Sequence, residues 1–249
     1  MTVNSQLLDA FLKCPTKCWL RSVGEQITDK SCGQCARARN ELYAAAEIHR
    51  LIARTDPGGH VTSLGAEDLK RRKWRLATDV LAKTQSLESH IYAVECLLSA
   101  RRSNHTEFVP IRFIPANKVG KDAKLLLAFD ALALSEVLGQ EVRQGRIIHG
   151  DNHAMLSVRT SALALELQQH ITKIDALLSS PSAPNLMLIA HCAECEFQTR
   201  CRQKALENDD LSLLSGMTEK ERQKLHHKGI FTVTQLSYTF PNGQKTGTR

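Results

Sequence analysis

Four cysteines at two distant places in the chain constrain the fold more than any other feature of the sequence. Cys14 stands near the start, whereas Cys192, Cys195 and Cys201 form a Cys-x2-Cys-x5-Cys group far along the chain. Such a group can recruit one remote thiolate and complete a four-sulfur site, around either an iron-sulfur cluster or zinc. The spacing therefore predicts a metal that ties the two ends of a domain together.

The length and charge of the chain narrow the class of protein. Its 249 residues can bury a full core in one domain with a small appendage. The 33 Lys and Arg residues exceed the 26 Asp and Glu residues, which gives a net charge of +7. A clustered excess of this kind favours a polyanionic partner.

The densest basic cluster is the segment Lys-Arg-Arg-Lys-Trp-Arg at residues 70–75. Its candidate phosphate contacts are Lys70, Arg71, Arg72, Lys73 and Arg75. A solvated helix face is the alternative interpretation of the same pattern.

Signals for targeting and membrane insertion are missing from the pattern of the chain. The N-terminus lacks the charged-then-apolar order of a signal peptide, and no run of about 18 apolar residues could span a bilayer. We expect a cytoplasmic protein with no membrane partner. In a reducing compartment, paired cysteines hold metal more often than they form disulfides.

Hydrophobic spacing and turn residues predict a mixed α/β domain with helices around a small sheet. Helices are predicted over 5–12, 36–53, 66–86, 122–138 and 160–178, strands over 90–97 and 107–113, and a hairpin over 145–159. The helix over 122–138 is so apolar that we expect it to be largely buried. Residues 209–236 read as a helical hairpin that either offers amides and lysines to phosphates or serves as a plain connector.

The order of these features resembles the RecB-like PD-(D/E)xK nucleases in which an iron-sulfur cluster ties the chain ends together. The resemblance is carried by Phe11-Leu-Lys-Cys-Pro-Thr-Lys-Cys-Trp-Leu20, by the late cysteine group, and by the sheet, buried helix and hairpin between them. The CRISPR-associated exonucleases of that superfamily share this order. More narrowly, the chain resembles a bacterial group of RecB-family nucleases, in which the module can precede an RNase-H-like domain and a helicase. That resemblance is carried by Phe108-Val-Pro-Ile-Arg-Phe113, Lys124-Leu-Leu-Leu-Ala-Phe129, Gly145-Arg-Ile-Ile-His-Gly150, His191-Cys-Ala-Glu-Cys195 and Gly229-Ile-Phe-Thr-Val-Thr-Gln-Leu-Ser-Tyr-Thr239.

The resemblance implies a fold and a domain division. The fold is α/β, a restriction-endonuclease-like PD-(D/E)xK core with a small mixed sheet flanked by helices and its chain ends tied by a four-cysteine cluster. The division is a nuclease domain over 1–205, a helical appendage over 206–239 and a tail over 240–249.

The resemblance also assigns the cysteines. It implies that a structural [4Fe-4S] cluster is held by Cys14, Cys192, Cys195 and Cys201, with zinc as the alternative. The second pair, Cys32-Gly-Gln-Cys35, could hold a separate zinc with Cys18, but we favour unliganded thiols because no obvious fourth ligand stands beside them. We expect Cys96, in a predicted strand, to be a buried small hydrophobe.

For the catalytic centre, the resemblance implies carboxylates that hold Mg²⁺ or Mn²⁺ and a lysine that orients the attacking water. Glu95 is the carboxylate nearest the expected Asp, but Pro110-Ile-Arg112 occupies the place of (D/E)-x-Lys. Proline cannot ligate a metal, and arginine stays protonated, so Arg112 could clamp a phosphate but not act as a base. Glu107 at the start of that strand and His49 on a helix are the remaining candidates around the metal.

Two functions of different class follow from these residues. The first is a metal-dependent deoxyribonuclease that acts on single-stranded DNA or DNA ends. The second is a catalytically degenerate DNA-binding module that acts with a helicase or a larger nucleic-acid-processing assembly. The Gln-x3-Tyr motif of many family members is missing from the buried helix, where Asp130 is the polar residue among the apolar ones.

Overall fold

The computed structural model of the chain describes residues 2–27, 32–63, 65–70, 74–98 and 106–239. The chain divides into two compact units, of which the first comprises residues 1–24 and 35–182 and the second residues 25–34 and 183–249. The first unit therefore ends before the late cysteine group, whereas the sequence places the end of the nuclease domain at residue 205. The tail over 240–249 lies outside the described residues.

The described helices up to residue 182 are α1 (Ser5–Lys13), α2 (Pro15–Ser22), α3 (Cys32–Ala53), α4 (Ala66–Lys70), α5 (Lys121–Leu138) and α6 (Ala164–Ser179). The described strands are β1 (Val3–Asn4), β2 (His60–Thr62), β3 (Leu76–Lys83), β4 (Leu87–Leu98), β5 (Thr106–Ile114), β6 (Gln144–His149) and β7 (Ala154–Arg159). The predicted strands over 90–97 and 107–113, the helix over 122–138 and the hairpin over 145–159 are confirmed by β4, β5, α5 and the β6–β7 pair.

The strands form one open mixed sheet in the order β2-β3-β4-β5-β6-β7, with the short β1 paired to β4. Strands β3, β4 and β5 are antiparallel neighbours, β6 runs parallel to β5, and β7 runs antiparallel to β6. The parallel pair requires a long crossover, which α5 supplies. The first unit is thus an α/β domain with a mixed open sheet flanked by helices.

The buried helix α5 forms the centre of the main core. Its side chains at Leu125, Leu127, Phe129 and Leu134 are at most 2% exposed. They belong to an almost uninterrupted apolar run, which can only be stable if the helix is covered on most sides. Gly139 ends the helix with a left-handed φ of 65° and donates its backbone N–H to the Ser135 carbonyl.

The two faces of the sheet pack against different helices. The main core joins one face to α5, α1 and α6, whereas Ala44 and Leu51 of α3 pack on the other face against Ala93, Ile111 and Ile148. Because successive side chains of a strand point to opposite faces, these contacts define on which side each strand residue lies. We call the two sides the α5 face and the α3 face.

The predicted helix over 66–86 is wrong, because α4 ends at Lys70 and β3 occupies residues 76–83. Val80 and Ala82 are buried between exposed neighbours, as a strand requires, and every residue of β3 except Asp79 has a partner in β4. Asp79 adopts a left-handed φ of 53°, which interrupts the strand. The segment has apolar residues at spacings that suit both structures, and the antiparallel pairing with the next strand, β4, selects the strand.

The second unit is helical. Its described elements are a 3-10 turn at Ala190–Glu194, α7 (Gln198–Glu207), a 3-10 turn at Leu211–Leu213, α8 (Glu219–His227) and α9 (Val233–Thr239). Thr218 and Glu221 form a reciprocal capping box at the start of α8. Arg222 of α8 and Asp210 form a buried ion pair at 2.5 Å, which holds α8 against the preceding turn.

No helix in the described part of the chain is both long enough and apolar enough to cross a membrane.

Candidate functional site

Arg112, the predicted phosphate clamp, lies on the α5 face and is bound to the core. Its Nε and Nη2 atoms donate to the two carboxylate oxygens of Asp130 at 2.5 and 2.9 Å, and Ser89 Oγ donates to the same carboxylate at 2.6 Å. Asp130 is 1% exposed and the Arg112 side chain 16% exposed. Burial lowers the pKa of the Arg112 guanidinium, but the charge and hydrogen bonds of Asp130 outweigh burial and leave that pKa raised. The guanidinium is therefore a permanent cation with a bidentate internal partner.

Glu95 and Glu107 lie on the opposite side of the sheet, the α3 face. Glu95 on β4 stands opposite Val109 of β5, so that Glu107 is its diagonal neighbour on the same face. Glu95 forms an ion pair with Arg146 of β6. Glu107 Oε1 accepts a hydrogen bond of 2.6 Å from Gln144 Nε2, also on β6. The structure thus brings these two carboxylates to one face and leaves Arg112 on the other.

His49 of α3 is exposed. Two positions earlier, Glu47 points inwards and is only 3% exposed. Its Oε1 atom is 2.8 Å from His153 Nδ1 in the β6–β7 turn and 3.3 Å from Arg50 Nη1. Within the described residues, no three His, Cys, Asp or Glu side chains gather closely enough to hold a metal ion.

The same turn contacts a second residue of α3, Tyr43. The Tyr43 hydroxyl donates to the Gly150 carbonyl at 2.9 Å, and the Tyr43 ring stacks on the His153 ring with a centroid distance of 6.1 Å and an interplanar angle of 15°. Burial and, less strongly, the Glu47 charge raise the pKa of the Tyr43 hydroxyl, which keeps it a donor. Sequence reasoning missed this group. Two signals in the sequence could have indicated it. Tyr43 and Glu47 are four residues apart on one helix, and the hairpin turn contains a histidine.

A cleft of about 600 Å³ opens beside Tyr43. The residues that line it come from α3, from the segment after β5 and from the β6–β7 turn, and they are Arg39, Leu42, Tyr43, Pro115, Ala116 and Asp151. Leu42 is 74% exposed. The cleft therefore joins apolar surface to one cation and one carboxylate.

The three late cysteines all belong to the second unit. Cys192 lies in the 3-10 turn and is half-buried, Cys195 follows that turn, and Cys201 lies in the first turn of α7. The Ile189 N–H donates to Cys192 Sγ at 3.3 Å. Cys14, between α1 and α2, belongs to the first unit.

The other cysteines differ from these in their surroundings. Cys18 is completely buried in the main core, and burial raises the pKa of its thiol to about 11, so that it is a protonated core residue. Cys96 is 4% exposed within the same core, which confirms the predicted buried hydrophobe. None of the six cysteines that the structure describes forms a disulfide. The side chains of Cys32 and Cys35 lie outside the described residues.

The basic segment over 70–75 is described at its two ends. Lys70 is the last residue of α4 and Arg75 precedes β3, and both side chains are exposed. Arg71, Arg72 and Lys73 lie outside the described residues. Their contact with phosphate stays a prediction.

The chain matches no protein-family model, and no curated protein sequence matches it. The function is therefore inferred from the geometry of the chain's own residues. The candidate features are two carboxylates on the α3 face, an internal ion pair on the α5 face, three cysteines in the second unit and a cleft beside α3.

Proposed function

We propose that the chain is a DNA-binding module of RecB-like nuclease architecture that acts with a helicase or a larger nucleic-acid-processing assembly. The observation that carries this proposal is the Arg112–Asp130 pair. Arg112 occupies a strand position where the resemblance expects the metal and water chemistry of a nuclease, and its guanidinium is committed to a buried carboxylate. Its neighbour on the same face, Pro110, has no ligating atom in its side chain.

The architecture and the charge support the same proposal. The sheet, the buried helix α5 and the β6–β7 hairpin follow one another in the order on which the resemblance rests. The net charge of +7 favours a polyanionic partner. A module of this kind would bind single-stranded DNA or DNA ends through phosphate contacts, with an affinity that falls as salt rises.

The second candidate function is a metal-dependent deoxyribonuclease. It is favoured by one observation, the position of Glu95 and Glu107 on one face of the sheet. Carboxylate oxygens are ligands that Mg²⁺ and Mn²⁺ accept, and such a cation would activate water and neutralise charge at a scissile phosphate. Arg146 competes with a cation for Glu95, because it already neutralises that carboxylate.

A single assay separates the two functions. We expect the purified protein to bind end-labelled single-stranded DNA and to leave it uncut in the presence of Mn²⁺ or Mg²⁺, because the carboxylates are engaged by β6 side chains. The Glu95→Ala and Glu107→Ala variants should then bind DNA as the parent does. Divalent-dependent cleavage that disappears in both variants would establish the nuclease and overturn the binding module. A protein that binds no DNA would overturn both.

We also propose that Cys14, Cys192, Cys195 and Cys201 hold a structural [4Fe-4S] cluster, with zinc as the alternative. The donor type suits both centres, because thiolates bind iron-sulfur clusters and zinc alike, whereas the described cysteine side chains are not gathered as a bound metal would hold them. The cluster would tie residues near the start of the chain to α7. Metal binding and folding would then be coupled.

Cys18, in α2, provides a matched control for a test of Cys14. Replacing Cys14 with serine should abolish bound iron and acid-labile sulfide, measured on anaerobically purified protein, since serine supplies no thiolate. Cys18→Ala, four residues away, should retain both, because that thiol belongs to the core. Zinc in place of iron, lost in the same variant, would select the alternative metal, and full metal content in Cys14→Ser would remove Cys14 from the ligand set.

A further inference from the structure

We propose that the cleft beside α3 is a subsite for one base of a single-stranded nucleic acid, with the Tyr43 ring, supported by the stacked His153 ring, as its stacking surface and Arg39 as its phosphate contact. This inference rests on the proposed DNA-binding function and names a place where the strand is held. The cleft lies on the α3 side of the β6–β7 turn, away from the buried Arg112–Asp130 pair.

The ring pair is held in position before any ligand arrives. The Tyr43 hydroxyl is tied to the Gly150 carbonyl, and the His153 ring lies against the Glu47 carboxylate. Neither ring has to be ordered on binding, so the entropy cost of forming the contact is small. Base stacking on a protein aromatic tolerates every sequence, because each base presents a π-face. The pair therefore suits a strand that is unpaired.

The cleft offers one cation to a phosphate of the strand. Arg39 stands one helical turn before Tyr43, is exposed, and forms no hydrogen bond or ion pair with the described residues. Arg37, on the same helix, is instead paired with Glu41 at 2.9 Å. Arg39 is thus the cation at the cleft that remains available to a phosphate.

Asp151 further indicates which bases fit. Its Oδ2 atom accepts from Asn117 Nδ2 at 3.1 Å, and its backbone N–H donates to Asn117 Oδ1 at 3.0 Å, so the side chain is fixed at the cleft wall. A carboxylate can accept hydrogen bonds from an exocyclic amino group but not from a carbonyl edge. Cytosine carries such an amino group where thymine carries a carbonyl. We therefore infer a preference for cytosine over thymine at this position.

The test compares binding of oligo-dC and oligo-dT by fluorescence anisotropy across a salt series. Tyr43→Leu should weaken binding of oligo-dC about 10-fold, within the range for loss of one stacked base. Arg39→Gln should reduce the slope of log affinity against log salt by about 0.7, the value for one phosphate contact on a single strand. Asp151→Asn should reduce the preference for oligo-dC.

Matched variants keep the test independent of folding. Tyr43→Phe retains the ring and loses the bond to Gly150, so it should lose much less affinity than Tyr43→Leu does. Tyr238→Leu removes a tyrosine that is 79% exposed on α9, and Arg37→Gln removes the paired cation, so neither should change binding.

Parent-level binding by Tyr43→Leu and Arg39→Gln would overturn the subsite while leaving the proposed function intact. A parent protein that binds neither oligonucleotide would overturn both. Equal affinity for the two oligonucleotides in the parent protein would overturn the assignment of Asp151.

Discussion

Replacing Asp130 with alanine is expected to lower the free energy of unfolding by about 3–5 kcal/mol, the range for removing one partner of a buried ion pair. The guanidinium of Arg112 would stay charged and lose both of its hydrogen bonds within the core. Ser89 would lose its acceptor at the same time. Chemical denaturation followed by circular dichroism measures the change.

Two comparisons show whether the buried charge causes this loss. The double variant Arg112→Met with Asp130→Leu removes both charges. Its free energy of unfolding should be close to that of the parent protein, because apolar replacement of a whole buried pair is often neutral or stabilising. Glu88→Ala removes a partly exposed pair with Lys83 and should cost at most about 1 kcal/mol. An Asp130→Ala variant as stable as Glu88→Ala would contradict the structural role of the pair. Retained DNA binding by the double variant would exclude Arg112 as a phosphate clamp.

Replacing Gly150 with alanine is expected to cost about 2–4 kcal/mol, since it combines left-handed backbone strain with overpacking. Gly150 has a φ of 73°, and an added Cβ would lie 2.4 Å from Asn117 Oδ1 and 3.2 Å from Asn117 Cα. Asn117 would have to move and release Asp151. Thermal unfolding measures the stability, and the loss of cytosine preference reports the shift of Asp151.

Gly139 provides the control for Gly150. It has a similar φ of 65°, but no atom lies within 4 Å of the position of an added Cβ. Gly139→Ala should therefore cost only about 1–2 kcal/mol, the backbone part of the penalty. Equal costs at the two positions would mean that the contact with Asn117 contributes nothing, and the tight packing of the turn would be refuted.

Local patterns predicted those elements whose signal is strong within a short window. The apolar run of α5 and its terminal glycine can only be accommodated as a buried helix, and the Gly150-Asp-Asn turn between two alternating runs can only be read as a hairpin. Strand β3 was missed because its residues 76–83 suit a helix equally well. The strand is selected by its hairpin pairing with residues 88–95 of β4, and a window that ends at residue 86 does not contain them.

In the candidate site too, the sequence predicted the residue types and the tertiary structure decided their contacts. The sequence identified Glu95, Glu107 and Arg112 as candidates, but the phase of β5 decided that Arg112 faces α5 and Glu107 faces α3. The partners of Glu95 and Glu107 could not be predicted either. Arg146 and Gln144 lie on β6, which comes to lie beside β5 only through the crossover helix α5. Tyr43 and His153 were overlooked for the same reason.

The sequence by itself determined the mixed α/β class, the buried helix and the hairpin, because those properties depend on residue type and short-range spacing. Only the tertiary structure decided which charges meet. Asp130 on α5 forms an ion pair with Arg112 on β5, and Glu47 on α3 lies against His153 in the β6–β7 turn. The energy of an ion pair depends on distance and burial, and both quantities exist only once the sheet has formed and its register has placed one side chain against another.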